Sequence, residues 1–251
     1  MKIISVIILS IFLFLQLKDE KDNIKSSIYK EGGFMLSFDD NHIHNWYKIS
    51  DLLDKYKCKA TFFVSGFGYL DTEEIDLLKK MEDKGHEIAV HSLNHNSAVQ
   101  YLDSNKINNY IEFEIIPEID SMKLYGFEPQ TFSYPFGDNN KEIDSALLEK
   151  FVLIRDVSES QRHFYSMYFK NFNELDEIFI NNNSSKVLKG LGIDENYNVS
   201  IKDIHKIFER ASNNNEIVLF YCHNPVQKVF KNFQIQIDYL ENFLKLTNEY
   251  N

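Results

Sequence analysis

The chain has 251 residues, and its 38 Asp and Glu against 27 Lys and Arg give a net charge of -11. That balance excludes a nucleic-acid binder, which needs a basic face for phosphates. A hydrophobic share of 43%, with 21 Phe and 14 Tyr, excludes wholesale disorder, and two cysteines are too few for a disulfide scaffold or a Cys-rich zinc finger.

The first element is an apolar run from Ile3 to Leu17, preceded by Lys2 and followed by KDEKDN. A basic start and a short apolar stretch read as a secretory signal. The run is short of the roughly 20 residues that a membrane span needs. No small-x-small cleavage site follows, so an uncleaved signal anchor is the alternative. Residues 1–22 are therefore expected to export the chain from the cytoplasm, either cleaved or retained as a membrane tether. A folded domain is expected over 30–251. Cys58 and Cys222 are expected to be buried free thiols, with pairing in an oxidising compartment as the alternative.

From Gly33 to Phe38, GFMLSF is an apolar run of strand length that stops at Asp39-Asp40. Trp46, Ile49, Leu52, Leu53 and Tyr56 then recur at helical spacing. CKATFFV, from Cys58 to Val64, is β-branched and aromatic and predicts a second strand. Asp71 with Glu74 has the form of a capping box; Ile75, Leu78 and Met81 make the apolar stripe, and Gly85 ends the helix. HEIAV, from His86 to Val90, predicts a third strand ending at His91. A helical segment runs from Asp103 to Leu124, broken or kinked at Pro117 and stopped by Gly126.

QTFSY (Gln130 to Tyr134) is strand-like and leads into Pro135-Phe136-Gly137. A helix through Ala146 to Lys150 precedes FVLIRD, from Phe151 to Asp156. The stretch from Ser158 to Ser200 is polar, Asn-rich and without a clear period. A helix over Ile201 to Ala211, the strand EIVLFYC (Glu216 to Cys222) and a helix after Phe230 complete the chain. Continuous apolar strands alternating with helices predict one α/β domain, a barrel, with its chemistry at the strand C-termini.

Those termini carry Asp39-Asp40, His91, Tyr134 to Gly137, Arg155 and His223. Two imidazoles and a carboxylate with open positions make a catalytic metal site rather than a structural one. His91 and His95, at i and i+4, can aim at one ion from a helical turn or a tight loop. Adjacent aspartates repel unless a cation or another partner offsets the charge. The run His86 to His91 imitates a zincin HExxH, but its spacing is one residue too long and the segment is strand-like.

By its motifs the sequence resembles the polysaccharide deacetylase (NodB-homology, carbohydrate esterase family 4) superfamily. The resemblance rests on Ser37-Phe38-Asp39-Asp40, on KATFFV at Lys59 to Val64, and on Gly85-His86-Glu87-Ile88 followed by His91-Ser92-Leu93-Asn94-His95. Phe132-Ser133-Tyr134-Pro135-Phe136-Gly137 and the strand Ile217 to Tyr221 leading to His223 complete it. It implies a distorted (β/α) barrel in a single domain. It also implies a divalent metal, usually zinc and sometimes cobalt or nickel, on Asp40, His91 and His95. Asp39 would be the general base, His223 the general acid, and the backbone N–H of Phe136 an oxyanion donor.

The sequence departs from the family pattern in three places. The third motif lacks the Arg that orients the base, and Arg155 is the candidate to supply that charge, against an ordinary surface pair. Asn41 stands where the family has Gly. The D-x-x-D-W motif that supports the acid histidine is not recognisable, with Asp156 and Asp194 as unselected stand-ins. His42 and His44 read as helix-start positions, with contact to metal or substrate the alternative. Trp46 reads as helix packing, and Tyr134 equally as core or groove. Asn182, Asn183 and Asn198 sit in N-x-S sequons.

The expected activity is metal-dependent removal of acetyl groups from N-acetylated sugars of a polysaccharide or oligosaccharide. The partner is that carbohydrate and not a nucleic acid. Alternatives are an O-acetyl esterase or small-molecule amide hydrolase of the same mechanism, and a catalytically silent carbohydrate-binding relative.

Overall fold

Strand β1 (Gly33–Asp40) pairs in parallel with β2 (Ala60–Val64) on one side and with β8 (Ile217–Cys222) on the other, which closes the sheet on itself. The computed structural model describes residues 32–104, 107–162, 171–181, 184–247 and 249–250. The apolar run Ile3 to Leu17 and the sequons at Asn182 and Asn183 lie outside them. Around the barrel the order is β1, β2, β3 (Glu87–Val90), β4 (Thr131–Ser133), β5 (Leu153–Val157), β7 (Val187–Gly192) and β8, all parallel. This is a closed (β/α) barrel of seven parallel strands, as expected. Its distortion lies beside β8: β7 meets that strand only through Leu191 and Gly192, and the short β6 (Phe179–Ile180) pairs antiparallel with its lower half.

Period-two alternation decides which side chains enter the barrel. Leu36 and Phe38, Phe62 and Val64, Ile88 and Val90, and Phe220 and Cys222 join the large core between strands and helices. The alternate residues Met35, Leu153 and Leu219 meet Ile180 and Leu188 in a small second cluster that plugs the barrel interior. Further along the same faces stand Asp39, four residues beyond Met35, and Arg155 and Tyr221, each two residues beyond its leucine. The register that buries Phe38 against Phe62, ring centroids 5.1 Å apart, is thus the register that turns Asp39 inward.

Helix α1 (Ile43–Lys55) buries Ile43, Trp46, Ile49 and Leu53 against the barrel, one turn more than the spacing predicted. Helix α2 (Thr72–Asp83) has the expected capping box, with Asp71 accepting from the Glu74 N–H and Glu74 from the Asp71 N–H. The predicted segment 103–124 is instead α3 (Ala98–Ser104), α4 (Ile107–Tyr110), a π-turn over Ile111–Ile115, and α5 (Ile116–Leu124). Pro117 sits in the first turn of α5. It can donate no N–H, and the chain before it widens so that the Ile116 N–H reaches the Ile111 carbonyl.

Two short helices follow, α6 (Lys141–Leu147) and α7 (Glu159–Arg162). The helix predicted from Ile201 is α8 (Ile201–Asn214), which starts at a Ser200–Asp203 capping box. The last segment adds a parallel pair, β9 (Asn224–Val226) with β10 (Gln234–Gln236), before α9 (Ile237–Thr247). Cys58 and Cys222 are both buried free thiols, as expected. Among the described residues no helix is long and apolar enough to cross a membrane.

Candidate active site and metal centre

The parallel strands bring every predicted site residue to one cleft at their C-terminal ends. The cleft has a volume of about 250 Å³ and is lined by Asp39, Asp40, His91, His95, Phe136, Arg155 and His223 together with Tyr197, Tyr221 and Phe233. Neighbouring loops hold its rim: the Ser65 N–H donates to the Asp40 carbonyl at 2.8 Å, and the His91 N–H to the Val64 carbonyl at 2.8 Å.

Asp40 ends β1 with φ 84°, a left-handed backbone that Asp adopts more readily than most residues. Asp40, and not Asn41 where the family has Gly, takes this conformation. The turn aims Asp40 away from its neighbour, with Oδ1 3.3 Å from His95 Nε2 and 3.7 Å from His91 Nε2. One donor atom from each of the three residues falls within 4.8 Å of the others. Bond lengths of about 2.0–2.2 Å to zinc put tetrahedral donors roughly 3.3–3.6 Å apart, so the spacing and the His₂-carboxylate chemistry fit a divalent ion with positions left open.

The imidazoles are held differently. His91 is buried, and its Nδ1 lies 2.9 Å from the Ser133 carbonyl, so Nδ1 carries the proton and Nε2 presents its lone pair to the site. Burial pushes its pKa down to about 4, against the attraction of Asp39 and Asp40. His95 is partly exposed, has φ 54°, and packs edge-on to Phe136 and His91 at 4.7 and 4.9 Å. Burial alone would raise the Asp40 carboxyl. The His95 hydrogen bond and the charges of His223, His91 and His95 outweigh it and hold the group well below the usual carboxylate range.

Asp39 faces the barrel interior and pairs with the Arg155 guanidinium, which also donates to the Ser133 hydroxyl. Arg155 is 1% exposed and sits in the middle of β5, with its guanidinium 4.5 Å from the centre of the Tyr221 ring. It is therefore no surface pair, and it lies inside the barrel below the strand ends. Gly190 makes room for it: a Cβ there would stand 3.3 Å from Arg155 Cδ and 2.7 Å from Leu219. Asp39 Oδ1 is buried and meets no donor among the described residues, so one oxygen is clamped and the other is free to accept a proton.

His223 follows β8. Its Nδ1 lies 2.6 Å from Asp194 Oδ2, and its backbone N–H donates to Asp194 Oδ1 at 3.1 Å. Burial works against the imidazolium, but the hydrogen bond and charge of Asp194, with Asp39 and Asp40, raise the pKa overall. Asp156, the other candidate for this support, accepts from Lys189 Nζ at 2.6 Å and from the Val157 N–H instead. Trp46 is buried helix packing, and its indole N–H also holds the His223 carbonyl at 2.8 Å.

Phe136 has φ 60° between Pro135 and Gly137, and its ring is 62% exposed over the cleft. Tyr134 belongs to the core, its hydroxyl donating to Asp144 at 2.8 Å, and its edge lines the cleft. His42 stands just before α1 with Nε2 3.7 Å from Asp40 Oδ2, while His44 is exposed on the helix. His86 is a buried residue outside the cleft whose Nδ1 accepts the Ala60 N–H at 3.2 Å. Sequence reasoning missed Ser133, which serves both His91 and Arg155, and did not select Asp194. The available signal for Asp194 was its place just after β7, a strand whose apolar pattern Gly190 and Gly192 interrupt.

Residues 28–150 match the family model for polysaccharide deacetylase. The peptidoglycan-N-acetylmuramic acid deacetylase PdaA of Bacillus subtilis is 41% identical over 68 residues, 26% of this chain and 25% of that protein. The peptidoglycan-N-acetylglucosamine deacetylase of Bacillus cereus is 32% identical over 96 residues, 38% of this chain and 42% of that protein. The chain thus aligns with less than half of the length of either curated relative. The family 4 carbohydrate esterase of Streptomyces lividans, solved with acetate, superposes with a TM-score of 0.52 at 16% identity, covering 87% of this chain and 88% of that one, a likeness of fold. The family match contains Asp39, Asp40, His91, His95 and Phe136, and the fold continues past it to Arg155, Asp194 and His223. The chain is thus similar to the polysaccharide deacetylase family over residues 28–150, just under half of its length, and shares the fold of the solved carbohydrate esterase beyond that stretch.

Proposed function

We propose that the chain is a metal-dependent hydrolase that removes acetyl groups from N-acetylated sugars of a polysaccharide or oligosaccharide. The observation that carries this reading is the pair of supported groups beside the His₂-carboxylate cluster. Asp39 is clamped by Arg155 with one oxygen left free, and His223 is clamped by Asp194. A binding module would need neither.

Asp40, His91 and His95 would hold a divalent ion, zinc as the usual partner of a His₂-carboxylate set, with cobalt or nickel as substitutes. A divalent ion there supplies Lewis acidity, which polarises an acyl carbonyl and acidifies water. Asp39 takes the proton of the attacking water on its free oxygen, and Arg155 fixes its direction. His223, whose protonated form Asp194 favours, gives a proton to the departing sugar nitrogen. The backbone N–H of Phe136 is the oxyanion donor, in a turn whose left-handed φ is a local strain of the kind found at functional sites. Phe233 and Phe136, partly exposed at the cleft, give a sugar ring apolar faces to pack on.

The site acts outside the cytoplasm in this reading. The apolar N-terminal run supports export, and the two curated relatives are peptidoglycan deacetylases by name. Acetate release should be measured from N-acetylated chitin, peptidoglycan and poly-N-acetylglucosamine fragments and from O-acetylated xylan, with and without chelator. Chelator-sensitive release from an N-acetylated member is expected. Release from acetylxylan alone would make the enzyme an O-acetyl esterase, and none from any member would return it to a binding role.

A further inference from the structure

The His91 ring is fixed by its own hydrogen bond to Ser133, but among the described residues nothing accepts from or donates to His95 Nδ1. Beyond its Asp40 contact and its packing on His91 and Phe136, the direction of His95 is set by the backbone that carries it, and that backbone is unusual. The loop after β3 has positive φ at Ser92 (65°) and again at His95 (54°). Ser rarely adopts this geometry and His only somewhat more readily, so two such residues in one short loop need support from outside it.

What holds it is Glu114, a fully buried carboxylate in the π-turn before α5. Its Oε2 accepts the Asn94 N–H at 2.8 Å. Its Oε1 accepts from Asn94 Nδ2 at 3.0 Å and Asn96 Nδ2 at 2.6 Å. Its backbone carbonyl accepts the Leu93 N–H at 3.0 Å. The residues on both sides of His95 thus converge on one side chain. Among the described residues no Lys or Arg is within ion-pair distance of Glu114, so amide donors alone meet its charge. Burying a carboxylate in this way is costly, and an apolar residue would fill the space at less cost. Glu118, one turn on, is also buried but holds the loop after β2, accepting the Phe67 N–H at 2.9 Å; that loop reaches Ser92, through the Gly66 N–H at 3.1 Å, and not the residues flanking His95.

We propose that Glu114 is a positioning residue that sets His95 for cation binding by clamping Asn94 and Asn96 on either side of it. This rests on the metal reading above. Outer groups that orient metal ligands change affinity by about 10–100-fold when altered.

The test is zinc affinity of the full chain, by competition with a chromophoric chelator, together with the absorption spectrum of bound Co²⁺ and a thermal melt. Glu114→Gln keeps the shape but replaces one acceptor oxygen with a donor facing amide N–H groups. Its zinc Kd should rise about 10–100-fold, with an altered Co²⁺ spectrum. Asn96→Ala removes a single bond and should weaken binding less. In the double variant the two losses should not add, because both act through one contact. Glu118→Gln should lower the melting temperature while leaving zinc affinity unchanged. Wild-type affinity in Glu114→Gln, or an equal loss in Glu118→Gln, overturns the inference and leaves the metal reading standing. No zinc bound by the wild-type chain overturns both. Should Glu114→Gln not fold, Asn96→Ala decides alone: weakened zinc binding supports the clamp, and wild-type affinity refutes it.

Discussion

Replacing Asp194 by Asn separates a general-acid histidine from a merely buried one. In the wild-type chain the Asp194 carboxylate is fully buried, 2.6 Å from His223 Nδ1, and also holds the His223 N–H. Burial is the largest single influence on His223 and lowers its pKa; Asp194 leads the influences that raise it. In the variant the amide oxygen is needed by the His223 N–H, which turns the NH₂ toward Nδ1 and opposes protonation there. An opposite charge at such range is worth about 1–3 pKa units, or roughly 1.4–4 kcal/mol of preference for the imidazolium. A general acid works only while protonated, so activity falls as pH rises through its pKa. Losing Asp194 lowers that pKa and moves the alkaline limb of the kcat/KM profile about 1–3 units toward acid. At a fixed pH above the shifted limb the rate drops about tenfold per unit. The assay is acetate release against pH on the best N-acetylated oligosaccharide. An alkaline limb that stays where it is in the wild type would refute the role given to His223.

Arg155→Met keeps most of the volume but strands Asp39 as a buried carboxylate without its cation. Stability should fall by about 3–5 kcal/mol in denaturant unfolding, and activity should be lost. Adding Asp39→Asn should restore most of that stability without restoring turnover; a double variant as unstable as the single one would deny that the pair carries the cost. His91→Ala and His95→Ala should each lose metal by elemental analysis, and wild-type metal content in either removes that residue from the site.

The barrel and the place of the site were legible because local signals agree with the topology there. GFMLSFDD gives strand length and its end, and parallel pairing then carries Asp39, Asp40, His91 and His223 to one rim without further information. Seven predicted site residues do line one cleft. The supporting residues were harder to read, for physical reasons. Strand β7 is broken in pattern by Gly190 and Gly192, which are small because the Arg155 and Leu219 side chains and the Tyr197 ring occupy the space of their Cβ atoms. A strand hidden for that reason hid Asp194 at its end. Arg155 was legible as the candidate to orient Asp39, but only against the alternative of a surface pair, since which face of β5 turns inward depends on a register set by distant strands. Glu114 gives no sequence signal at all. A glutamate in a helical stretch reads as solvated, and only the π-turn imposed by Pro117 and the loop folded against it make it a buried clamp.

Stoichiometric reconstitution tests the ion and the Asp39 carboxylate together. Metal-free protein should release no acetate, regain activity in proportion to added zinc up to one ion per chain, and be inactive as Asp39→Asn while binding the same single ion. Full acetate release by metal-free protein would refute metal-dependent hydrolysis, and full release by zinc-loaded Asp39→Asn would remove Asp39 as the base.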